Sequence, residues 1–168
     1  VPGWHTTIFA PYFVAGAIFS GLSMVMTVLI PMRTVFGLQD YITNHVIHSV
    51  CRVILFTSMI VAYAYASEFF IAWYRGSPSQ RAIFYFRPFG EMSSWTLMGD
   101  QKISFPLIAF WLMVFCNVIS PIPLWRWKVR NNPLAVWVIC ALINVGMWFE
   151  RFNIFGSSLQ REYNPASW

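Results

Sequence analysis

The chain has 168 residues, of which 58% are hydrophobic and only 10% are charged, whereas an ordinary soluble domain carries about 25% charged residues. A chain this short has too much surface for its volume to hide so many apolar side chains from water, which excludes a water-soluble globule and leaves lipid as the outer solvent. The net charge is +5, but the basic residues lie between apolar runs, where anionic lipid headgroups and membrane orientation explain them and nucleic acid does not.

A helix that crosses ~30 Å of hydrocarbon needs about 20 apolar residues. Four segments qualify. The first covers about 8–32 and meets no charge before Arg33. Pro11 suits its first turn. Gly16, Ser20 and Gly21 offer a small-residue surface to a neighbouring helix, and Pro31 with Gly37 is expected to end it. The second covers about 42–74. Thr43 and Asn44 follow Asp40 as caps, and an apolar centre at 53–66 lies between Arg52 and Glu68. Its length predicts tilt or extension beyond the bilayer.

A polar loop over 75–102 follows, punctuated by Gly, Pro and Ser. A loop this long usually has a function or docks onto a partner. The third helix covers about 105–122, closing at Pro121 and Pro123, and leads into a tight basic turn, Arg126-Trp127-Lys128-Val129-Arg130. The fourth covers about 133–159 and opens on Pro133, a good first-turn residue. The pattern predicts an all-α membrane protein, a single four-transmembrane-helix bundle. Aromatic residues make up 19% of the chain, as suits Trp and Tyr at membrane–water interfaces.

The basic turn and Arg33 share one side, which the excess of positive charge assigns to the cytoplasm. Arg75, Arg81, Arg87 and Lys102 of the long loop argue the other way. With the basic turn inside, Val1, the long loop and Trp168 fall on the outer face. No basic region followed by a cleavage site opens the chain. Its ends read as those of a stretch from a longer polypeptide.

Ionisable residues inside apolar runs carry the most information. Glu68 interrupts the second segment, and Glu150 and Arg151 interrupt the fourth. A charge in the membrane costs at least ~2.5 kcal/mol on insertion scales, so it tends to be paired or to line a polar path. A carboxyl group in hydrocarbon exchanges protons nearer neutrality than an exposed one. Two readings stay open: a proton relay, or structural ion pairs that fix helix register. Glu150 and Arg151 point about 100° apart, so other helices must supply their partners. Glu68-Phe69-Phe70 also echoes Glu150-Arg151-Phe152, which would put both acids in one leaflet.

His45 and His48 are three apart, so they share a face near the start of the second helix and read as an interfacial polar patch. A bis-histidine haem needs ligands on facing helices at matching depth, and His5 lies on the opposite side. No haem or metal is expected in this chain. Cys51, Cys116 and Cys140 all sit in apolar runs and read as inert packing residues. No nucleophile with its base or phosphate cradle is present, so no catalytic residue is assigned.

Specific strings add a resemblance. Pro2-Gly3-Trp4-His5-Thr6-Thr7-Ile8-Phe9 and Pro11-Tyr12-Phe13-Val14-Ala15-Gly16-Ala17-Ile18-Phe19-Ser20-Gly21 resemble the NrfD/PsrC family of polysulfide-reductase membrane subunits. Glu68-Phe69-Phe70-Ile71-Ala72-Trp73-Tyr74 and Gly146-Met147-Trp148-Phe149-Glu150-Arg151-Phe152 strengthen the match, which is greatest with the large membrane subunits of bacterial alternative complex III. The resemblance implies one half of a larger subunit of about eight to ten helices, in two four-helix bundles. It implies a multi-pass protein of the bacterial inner membrane, alongside iron–sulfur and cytochrome c subunits, a sister membrane subunit and lipids. Menaquinol would be the substrate of the complex. Glu68, Glu150 and Arg151 would match proton-carrying positions, and His5 and Asp40 would lie at the edge of a quinol pocket. A passive anchor for a soluble oxidoreductase and a haem b anchor are the competing readings.

Overall fold

The computed structural model describes residues 9–75, 81 and 105–162, with side chains over 10–74, 81 and 107–155. The described residues hold helices α1 (Phe9–Val35), α2 (Asn44–Arg75), α3 (Phe105–Val114), α4 (Trp127–Arg130) and α5 (Pro133–Glu162), and no strand. A π-helical turn, Phe115–Ile119, extends α3, and a 3-10 turn, Ile122–Trp125, follows it. Among the described residues, four spans are long and apolar enough to cross a membrane: Ala10–Val35, Asn44–Tyr74, Leu107–Trp125 and Pro133–Phe155. The protein is therefore an all-α, multi-pass membrane protein. Apart from Arg75 and Arg81, the long polar loop lies outside the described residues.

Each long helix packs on two neighbours. α1 meets α2 and α5, and α3 with its π turn meets α5 and α2. Core positions recur at alternating steps of three and four, the period of one helix face. On α1 they include Tyr12, Ala15, Phe19, Met26 and Ile30, and on α5 Val136, Cys140, Ile143, Met147 and Glu150. Large apolar side chains such as Val14, Val25, Phe56, Tyr63 and Trp148 point outward, as lipid-facing residues must. Lipid tails are as apolar as leucine, so close packing and hydrogen bonds, not burial from water, hold the helices together.

The sequence ends α1 over Pro31 and Gly37, and the helix runs through Pro31 to stop at Val35, between the two. Proline lacks the N–H that would bond the carbonyl four residues back, here that of Thr27. The indole N–H of Trp137 on α5 donates to that carbonyl at 3.0 Å. An interhelical bond thus replaces the lost one, which keeps a proline tolerable in a membrane helix. The chain then turns at Gly37, whose φ of 65° lies in the left-handed region that glycine adopts at little cost. The basic turn is itself a single helical turn, α4.

Candidate functional site

Glu150 is 1% exposed, among the largest fully buried side chains. It occupies the next core position of α5 after Met147, so the helix period carries a carboxylate into the bundle interior. Three other elements supply its donors. The Tyr12 hydroxyl of α1 donates to Oε1. The Tyr65 hydroxyl of α2 donates to Oε2 at 2.7 Å. The Asn117 amide, on the π turn, donates to Oε2 at 3.3 Å and to the Tyr65 hydroxyl at 3.1 Å. The two phenol rings meet edge to face with centroids 5.7 Å apart. A carboxylate has about four acceptor sites, so three donors nearly fill it.

The π turn makes this possible. The N–H of Ser120 bonds the carbonyl of Phe115 at 2.9 Å, one residue further back than in an α-helix. Such single-turn π segments often occur at functional sites, and here one carries the fully buried Asn117. Gly146 lets α5 approach it. A Cβ at that position would collide with Asn117 Oδ1 and stand 2.5 Å from Cys116 Cβ. Asn117 Oδ1 has no hydrogen-bond partner.

The two acids named from sequence are placed differently. Glu150 is enclosed, while Glu68 is half-buried and lies three residues beyond Tyr65, one turn along the same face of α2. Arg151 reaches across to α1 beside the cage. Its guanidinium carbon sits 3.9 Å from the Phe13 ring centroid on α1. Asp40 is exposed on the α1–α2 turn, at the opposite end of the bundle from Glu150. His5 lies outside the described residues.

The two histidines differ in exposure. His45 is exposed, but His48 is buried, bonded through Nε2 to Asn131 Oδ1 at 2.9 Å and stacked on Trp127 with centroids 4.4 Å apart. The difference arises because α4 folds over His48 and leaves the preceding turn of α2 uncovered. Between the two ends lies a smaller polar contact, where Asn144 donates to the Thr27 hydroxyl at 3.0 Å. Among the described residues, no group of three or more His, Cys, Asp or Glu could hold a metal ion. All three cysteines are free and buried.

Sequence reasoning found Glu150 but missed Tyr12, Tyr65, Asn117 and Gly146. A signal existed for Tyr65, since it precedes Glu68 by three positions on one helix face.

The family described as "Polysulphide reductase, NrfD" matches residues 1–161, nearly the whole chain. A search of curated proteins found no match.

Proposed function

The chain belongs to the NrfD polysulphide reductase family, and from that premise we propose that it is a membrane subunit of a quinol-linked oxidoreductase in which Glu150 takes up and passes on a proton. The observation that carries this reading is a fully buried carboxylate whose hydrogen-bond donors, among the described residues, are two phenols and one amide, the neighbouring Arg151 acting on it through charge alone. A purely structural carboxylate in a membrane bundle is better held by a cation. Phenol hydroxyls are suited to proton transfer, because each can donate, accept and rotate.

The cage can serve either protonation state. When Glu150 is charged, all its neighbours donate to it. When it carries a proton, it needs an acceptor. A half-turn of the Asn117 amide puts Oδ1 where Nδ2 stood, 3.1 Å from the Tyr65 hydroxyl and 3.3 Å from Glu150 Oε2. The acceptor atom that is idle in one state is then used in the other. Glu68 follows Tyr65 by three residues on the same face of α2, and it is the second carboxylate we assign to the relay.

The finer reading is an alternative complex III type of complex in the bacterial inner membrane, with menaquinol as the quinol. It rests on the strings around Trp4, Pro11, Glu68 and Glu150. Iron–sulfur and cytochrome c subunits would take the electrons, leaving this subunit to handle protons. The test is menaquinol oxidation with proton release in membranes carrying Glu150→Gln or Glu68→Gln, after each assembly is verified. The proposal expects lost turnover or lost proton release with Glu150→Gln. A passive anchor would leave both unchanged.

A further inference from the structure

A second cluster lies at the far end of the bundle, and the proton role does not use it. No acidic residue occurs between Lys102 and Glu150, whereas Arg126, Lys128 and Arg130 fall within five positions. The span before them ends at Trp125 and the next begins at Pro133, so the turn stands at headgroup depth. Trp127 is its centre. The buried His48 ring lies parallel to the indole at an interplanar angle of 3°, and the Arg130 guanidinium carbon is 5.4 Å from the indole centroid. Asn131 closes the turn onto His48. Both Arg130 Nε and His48 Nδ1 are buried without a hydrogen-bond partner.

These contacts fix the turn before any ligand arrives. A guanidinium already held against an indole has less freedom to lose on binding, and its planar donors suit two oxygens of a phosphate. Arg126 and Lys128 are exposed beside it. Ile122, Trp125 and Leu134 flank the turn and are exposed apolar residues, which is where acyl chains would lie. A free phosphate shares the headgroup's chemistry but has no use for that apolar border.

We propose that this turn binds the phosphodiester headgroup of an anionic membrane lipid. Arg130 bonds the phosphate oxygens, Arg126 and Lys128 add charge, and His48 and Asn131 act as positioning residues.

The test uses the detergent-extracted native assembly, equilibrated with phosphatidylglycerol and phosphatidylcholine, with retained lipid read by native mass spectrometry. Phosphatidylglycerol should be retained in preference. The double variant Lys128→Gln/Arg130→Gln should lose roughly 30-fold of that retention, the sum of two headgroup-level charges, with phosphatidylcholine unaffected. Arg52→Gln, a charge removed from the exposed face of α2, should change little. His48→Ala leaves the basic residues intact yet should lower retention several-fold, and His48→Phe, which keeps a ring against Trp127, should restore part of it. Equal retention of the two lipids would overturn the proposal, as would a double variant no weaker than Arg52→Gln. Displacement by inorganic phosphate beyond that caused by chloride at equal ionic strength would assign the turn to a soluble anion instead.

Discussion

Tyr65 on α2 donates a 2.7 Å hydrogen bond to Oε2 of Glu150 on α5, across 85 positions of sequence. That bond joins two helices that otherwise touch little, because α1 and α3 lie between them around the bundle. The carboxylate is thus a structural junction as well as the proposed proton carrier, and both roles can be measured.

Removing either phenol hydroxyl should weaken the junction. A hydrogen bond to a charged group contributes about 1.5–3 kcal/mol, so Tyr65→Phe and Tyr12→Phe should each lower thermal stability in detergent by that amount. The pair should not add, because both hydroxyls serve one carboxylate. Additive losses would show that the cage does not act as a unit.

Gly146 should tolerate no side chain. A Cβ there would run into Asn117 Oδ1 and Cys116 Cβ, so Gly146→Ala must push the π turn away from α5. Overpacking of this kind costs typically about 1–3 kcal/mol, and quinol turnover should fall with it. At Gly21 a Cβ would meet nothing within 4 Å, so Gly21→Ala should be neutral or stabilise by roughly 1 kcal/mol through helix propensity. A melting comparison of the two variants decides the point.

Trp137 and Pro31 should be coupled. Trp137→Phe leaves the Thr27 carbonyl unbonded, at a cost of about 1–3 kcal/mol. Pro31→Ala supplies a backbone N–H to the same carbonyl, so the cost of Trp137→Phe should shrink in that background. An unchanged cost in the double-variant cycle would mean that the indole bond does not compensate for the proline.

The polar contact between Asn144 and Thr27 should matter less. Interhelical hydrogen bonds in membranes average about 0.6 kcal/mol, so Thr27→Val should shift thermal stability only slightly and leave turnover intact.

Much of this arrangement is legible in the sequence. The apolar runs define the spans, and the spacing of Val136, Cys140, Ile143, Met147 and Glu150 places the acid on the core face. The same reading of Val61, Tyr65, Glu68 and Ala72 would have brought Tyr65 in. The π turn is another matter. Nothing in Phe115-Cys116-Asn117-Val118-Ile119 announces an extra residue per turn, because it depends on packing against Gly146, a contact between segments far apart in sequence. The burial of His48 likewise depends on α4 folding over it. That α1 runs past Pro31 before the chain turns at Gly37 depends on the Trp137 donor from another helix.

Whether Glu150 changes protonation during turnover is tested most directly by infrared difference spectroscopy of the assembly as menaquinol is oxidised. A carboxyl band should appear or disappear with turnover and be absent in an assembled Glu150→Gln variant. The same band persisting in that variant, or no carboxyl band in the native assembly, would contradict a proton-carrying Glu150.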